Sequence, residues 1–260
     1  MPQPQRPRTV DVDIADGVAT IRLNRPERRN AVVPELVDDL LAALDAIDAA
    51  DPAPGAVVLT GRGRAFCAGH DLKEPLPEGD SRARLERLQA VTRRIRNLRQ
   101  PVLAAVHGYA IGAGAEFAIG CDLVLAARDA VFRFPEVGLG LSVTGAASRL
   151  LPALLGPLKA KELVLLGGDL DAPTAARLGM VSTVVEEAEL LPTALRHASE
   201  IAGNPVAAAL AKRALDAGTD STVDAALELE VSHAMITETS GEAALPAAAN
   251  HDKDKGGHRP

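Results

Sequence analysis

Three short apolar runs constrain the fold more than anything else in this chain: "GAVVLTG" at 55–61, "PVLAAVHG" at 101–108 and "DLVLA" at 122–126. Runs this short and continuous, bounded by Gly, Pro or Asp, read as buried strands. Between them lie stretches of helical period. "PELVDDLLAALDAIDAA" at 34–50 puts Leu36, Val37, Leu40, Leu41, Leu44 and Ile47 on one face, with Pro34 suited to the first turn. A second helix over 82–98 has Leu85, Leu88, Val91, Ile95 and Leu98 as its stripe. Ahead of both, "TVDVDIADGVATIRL" at 9–23 alternates apolar and polar residues about "ADG", a hairpin signal. Strand and helix in alternation argue for an α/β fold.

Past residue 144 the pattern turns almost wholly helical, with short helices ended by glycine, one strand at 180–185, and longer helices over 187–237. In the final helix Ser221 and Asp224 are expected to form a capping box, with Val223, Leu227, Val231 and Met235 as its stripe. The polar tail from 249 to 260 is expected to be disordered. The chain shows neither an internal repeat nor a long linker.

Hydrophobic residues make up 47% of the 260, yet aromatics only 2%, so the core has to be built from Ala, Val, Leu and Ile. Few rings for base stacking and a net charge of −7 argue against nucleic-acid binding. Cys67 and Cys121 form no disulfide framework, and no CxxC or Cys/His cluster suggests a metal. The start, "MPQPQRPR", has no apolar signal core, and no segment reads as a membrane span, so a cytoplasmic protein is expected.

Three segments carry candidate chemistry at the ends of strands: "AFCAGHDL" at 65–72, "HGYAIGAGAEFAIGCDL" at 107–123 and "FRFPEVGLG" at 132–140. With "NRPERRNAV" at 24–32 and "ELVLLGGDLDAPTAARLGMVSTVV" at 162–185, in this order and spacing, they resemble the enoyl-CoA hydratase/isomerase, or crotonase, family. The likeness runs from about residue 9 to 215. It implies a crotonase-type spiral of strand-strand-helix (ββα) units in residues 1–195 and a C-terminal helical region in 196–260, through which family members trimerise and often pair into hexamers.

The resemblance also implies an acyl-CoA thioester substrate, CoA being part of the substrate, with no separate cofactor and no metal. An enolate forming at the thioester needs two backbone N–H groups aimed at one oxygen, and losing one such donor costs about 2.7–4 kcal/mol of barrier. By the family pattern these belong to His70 and Ala113. Gly69 lets the chain bend close to the substrate. Glu116 and Glu136 match the family's carboxylate pair, Glu136 giving a proton to C2 and Glu116 activating water for attack at C3. Arg28 and Ala68 are expected beside CoA, and Leu139, Leu141, Val143, Thr144 and Ala146 at the acyl pocket floor.

Other residues receive plainer readings. The His70 side chain either enters the acyl pocket or shapes it and turns to solvent. Asp71 reads as a loop hydrogen-bonder, and Cys67 and Cys121 as small buried hydrophobes. The arginines of the 82–98 helix either form a solvated face or meet CoA phosphates. The C-terminal segment from 239 to 260 only loosely resembles the family ending that completes a CoA site, and the 73–81 loop, rich in Pro and Gly, reads as irregular. The leading activity is hydration of a 2-enoyl-CoA. The alternatives are Δ3,Δ2-enoyl-CoA isomerisation, which needs one carboxylate, and non-catalytic thioester binding.

Overall fold

The computed structural model describes residues 8–71, 73 and 80–242. Strands β1 (Val10–Ala15) and β2 (Val18–Leu23) form the expected antiparallel hairpin. Asp16 and Gly17 make its two-residue turn with φ of 50° and 74°, the left-handed pair that matches strand twist. From β2 onward the main sheet is parallel. It runs β1-β2-β3-β4-β6-β9, with β3 at Ala56–Gly61, β4 at Val102–Val106, β6 at Leu123–Ala127 and β9 at Thr183–Val185. The registers Val58 to Leu103 and Ala104 to Val124 place β3, β4 and β6 side by side. These three strands are buried along almost their whole length, which explains their unbroken apolar runs.

Helix α1 (Pro34–Asp48) packs beside α2 (Ser81–Asn97), and α1 also covers β1 and β2. Of its expected stripe, Leu36, Val37, Leu40, Leu44 and Ile47 are buried, each worth roughly 1.5–3 kcal/mol of transfer free energy. Helix α2 begins at Asp80, whose side chain accepts from the N–H groups of Arg82 and Ala83. Helix α3 (Ala113–Gly120) follows β4 and is buried at every residue, with no polar face at all.

A second, small sheet escaped the sequence reading. Strands β5 (Tyr109–Ile111) and β7 (Val131–Arg133) pair in parallel, and β8 (Leu170–Asp171) joins β7 antiparallel. Two or three residues are too few to show an alternation. The expected strand at 180–185 is shortened to β9, because Met180 and Val181 are buried in the turn that follows α6 (Ala172–Arg177). Helix α4 (Ala147–Leu155) starts only after Gly145 and Ala146, both left-handed, and α5 (Pro157–Leu166) follows at once.

Helix α7 (Glu187–Ala202) lies against β2, β3, β4, β6 and β9, burying Leu190, Ala194 and Ala198. The expected boundary at 195/196 therefore falls inside a core helix. By its internal contacts the chain divides into two compact units after Lys212, within α8 (Pro205–Gly218). In the second unit, α9 (Val223–Thr239) is capped by Thr222, whose hydroxyl accepts from Ala225 N at 3.2 Å, so the Ser221 box does not form. Its stripe, Val223, Leu227, Val231 and Met235, is exposed in the single chain. The expected tail and most of the 73–81 loop lie outside the described residues.

Candidate active site

The loop after β3 and the start of α3 are laced together by backbone. Cys67 bridges Ala110 in parallel, with Cys67 N donating to Tyr109 O at 3.0 Å and Ile111 N to Cys67 O at 3.0 Å. Two glycines permit the approach. A Cβ on Gly69 (φ +80°) would sit 2.6 Å from Ile111 O, and one on Gly114 would sit 2.3 Å from Cys67 O. Three residues beyond that bridge, the two parallel segments reach His70 and Ala113. Among the described residues neither N–H meets an acceptor, and Ala113 is the first residue of α3, whose dipole is positive at that end.

Glu116 lies in the first turn of α3 and is 1% exposed. Both of its oxygens are gripped by one residue: Thr144 N donates to Oε1 at 2.5 Å and Thr144 Oγ1 to Oε2 at 2.5 Å. Burial raises the Glu116 pKa above the usual carboxylate range, and the two Thr144 bonds pull against that rise. Glu136, just beyond β7, is 9% exposed, and its Oε2 has no hydrogen-bond partner among the described residues. Its pKa is raised by burial first, and further by the negative charge of Glu116. Gly112, the residue before α3, marks the meeting point: Glu116 N donates to Gly112 O at 2.9 Å, and a Cβ on Gly112 would lie 3.0 Å from Glu136 Oε1.

The expected pocket-floor residues separate. Thr144 turns its hydroxyl to Glu116, Val143 is half-buried, and Leu139, Leu141 and Ala146 are exposed. The His70 side chain is exposed, and partial withdrawal from water together with the Arg84 charge lowers its pKa.

Arg28 and Asp71 form a forked ion pair, Nη2 to Oδ1 at 2.7 Å and Nε to Oδ2 at 3.1 Å, which holds the Asp71 carboxyl below its ordinary value. Asp71 thus fastens the loop beside His70 to the 24–32 segment, as a hydrogen-bonder would. The Ala68 N–H donates to Arg29 O at 3.0 Å. On α2, Arg82 pairs with Glu86 within the helix, while Arg87 pairs with Asp38 and Arg94 with Asp45 and Asp48 of α1, as does Arg99, just beyond α2, with Asp48, so that face is mainly an ion-paired surface. Cys67 and Cys121 are buried, the Cys67 thiol pushed up to about 12 by desolvation, which leaves it inert as a nucleophile.

Two supports were missed in the sequence. Asn30 is fully buried with φ +56°, its Nδ2 donating to Arg62 O at 3.0 Å and Ala65 O at 2.8 Å and its Oδ1 accepting from Arg25 N at 2.8 Å. It thereby holds the start of the active-site loop. Lys212 is buried at the other end of α3 and pairs with Asp122 at 2.9 Å. A lone lysine in the apolar run "PVAAALAK" at 205–212 was the available signal.

Among the described residues no group of three or more His, Cys, Asp or Glu is placed to hold a metal ion. Nor, among them, is any helix long and apolar enough to cross a membrane.

Two carboxyl groups drawn from water thus lie near two backbone N–H groups that meet no acceptor among the described residues. The enoyl-CoA hydratase/isomerase family model matches residues 13–245, and the chain belongs to that family and is an enzyme of it. It is 36% identical over 217 residues to the short-chain-enoyl-CoA hydratase of Clostridium acetobutylicum, covering 82% of this chain and 83% of the relative. It is likewise 36% identical over 236 residues to the 1,2-epoxyphenylacetyl-CoA isomerase of Escherichia coli, covering 88% and 90%. The crystal structure of an enoyl-CoA hydratase from Bacillus anthracis superposes with a TM-score of 0.83 at 33% identity, over 87% of this chain and 90% of that one. The α/β fold is therefore of the crotonase type, as its motifs implied.

Proposed function

We propose that the protein is an enoyl-CoA hydratase, adding water reversibly across the double bond of a 2-enoyl-CoA to give a 3-hydroxyacyl-CoA. The thioester oxygen sits between the N–H groups of His70 and Ala113. Water attacks C3 while Glu116 takes its proton, and the π electrons move onto the thioester oxygen as an enolate. The enolate collapses to form the C2–H bond with the proton of Glu136. Proton exchange between the carboxyls and solvent restores the starting state. Arg28, Ala68 and the 24–32 segment face the CoA portion of the substrate, and Leu141 and Val143 its acyl chain.

The observation that carries this reading is the unequal pair: Glu116 is held by two donors, while Glu136 keeps a buried oxygen without a partner among the described residues. Hydration uses both states, one carboxylate to accept a proton and one carboxyl to give it. An enoyl-CoA isomerase, the other activity in the family's description, would need one carboxyl to shuttle a proton between C2 and C4. Crotonyl-CoA and longer 2-enoyl thioesters, followed by loss of conjugated absorbance beside a 3-enoyl-CoA control, separate the two. Faster use of the 3-enoyl substrate, with Glu116→Gln nearly harmless, would overturn hydration, and inertness toward both would favour non-catalytic binding. The exposed apolar stripe of α9 supports a homotrimer or hexamer, checked by sedimentation at micromolar concentration, where a 27.0 kDa species alone would refute it.

A further inference from the structure

We propose that Thr144 is a positioning residue of this site: its N–H and hydroxyl together hold Glu116 as the ionised, water-activating carboxylate and leave the unclamped Glu136 to carry the proton. The inference rests on the hydratase reading for its kinetic consequence, but its geometry stands apart from it.

A main-chain N–H can only donate, so Glu116 Oε1 must accept from Thr144 N at 2.5 Å. The hydroxyl is directed at the second oxygen at the same distance. A carboxylate that accepts at both oxygens is favoured in its charged form, whereas a protonated one has to reverse the hydroxyl bond. The rest of the loop is shaped for this grip. Gly145 (φ +56°) and Ala146 (φ +60°) turn the chain through two successive left-handed residues, a conformation that costs an alanine stability, and Ala147 N closes the turn onto Thr144 O at 2.8 Å. A Cβ on Gly145 would come within 2.6 Å of Glu116 Cβ, so the loop is pressed against this one side chain. Among the described residues Glu136 has no such partner at Oε2. Two neighbouring carboxyls with unlike surroundings are thereby assigned unlike roles.

Thr144→Val keeps the N–H and the shape but removes the hydroxyl, and Thr144→Ser restores it. The expected result is a kcat about tenfold or more lower in the Val variant with KM little changed, its acid limb moved to higher pH, and both effects largely reversed by Ser. In the free protein, the side-chain carboxyl 13C resonance of Glu116, assigned by its loss in Glu116→Gln, should titrate at higher pH in Thr144→Val than in wild type. An unmoved titration, or a Ser variant as impaired as Val, overturns the proposal. Should the Val variant not fold, Thr144→Ala against Thr144→Ser poses the same test. The titration needs no substrate: a moved midpoint in a protein inert toward enoyl thioesters sinks hydration and keeps the clamp, and an unmoved one in an active hydratase does the reverse.

Discussion

The two ends of helix α3 each hold an acid drawn from water, Glu116 fully and Asp122 partly, and they are treated in opposite ways. At the N-terminal end Glu116 is met by neutral donors from Thr144, close enough to a second carboxyl to raise its pKa. Just past the C-terminal end, Asp122 Oδ2 is met by the Lys212 ammonium at 2.9 Å and by Val102 N at 2.7 Å, and Lys212 also donates to Ile95 O at 3.0 Å and Gln100 O at 3.2 Å. Burial raises the pKa of both acids, but only Asp122 has a cation opposing the rise. A charge paired with a fixed cation fastens structure. A charge held by neutral dipoles beside another carboxyl can change hands with a proton, and that is the end where the chemistry is proposed.

The largest effect that would break this contrast is on turnover. Glu116→Gln and Glu136→Gln should each cut kcat for crotonyl-CoA hydration by roughly 10²–10⁴, with unchanged circular dichroism. Near-normal turnover in either would remove that acid from the chemistry. At the other end, Lys212→Met should lower the free energy of unfolding by roughly 1–3 kcal/mol in a denaturant titration, because the half-buried Asp122 keeps only the longer Arg96 ion pair at 3.9 Å. Adding Asp122→Asn should recover much of the loss, and strict additivity in the double-mutant cycle would disprove the pairing.

Gly145→Ala sharpens the N-terminal side. It should cost roughly 1–3 kcal/mol of stability and lower kcat, since the new Cβ meets Glu116 in a left-handed backbone. A pH series of melting temperatures gives a subtler test. An acid whose folded pKa is raised binds protons more tightly folded than unfolded, so stability falls as pH rises from the ordinary carboxylate range through the raised value. Wild type and Glu116→Gln should therefore diverge above that window, with the Gln variant melting higher relative to wild type at neutral than at acid pH. A constant difference across pH would contradict the raised Glu116 pKa. Smallest of all, Ala146→Gly should shift stability by less than about 1 kcal/mol, because relief of left-handed strain offsets the added chain entropy.

Much of the frame was legible from local pattern. The Asp16–Gly17 turn, the stripes of α1 and of α2 (save Leu85, which is exposed) and the apolar runs of β3, β4 and β6 each announce themselves within a few residues, because turn geometry and the periods of helix and strand are short-range properties. Glu116 and Glu136 stand out by motif, and the fold buries both, Glu136 beside Gly112 and Glu116 against Gly145. The partners of the buried acids were not legible. Thr144 reaches Glu116 across 28 positions, and Lys212 sits 112 positions from Gln100, and no period spans such gaps. Which carboxyl keeps its charge depends on donors delivered by distant loops and on how much water those loops exclude. Desolvation and hydrogen bonding at a buried acid arise from the packed whole, so they come into being only when the chain closes on itself.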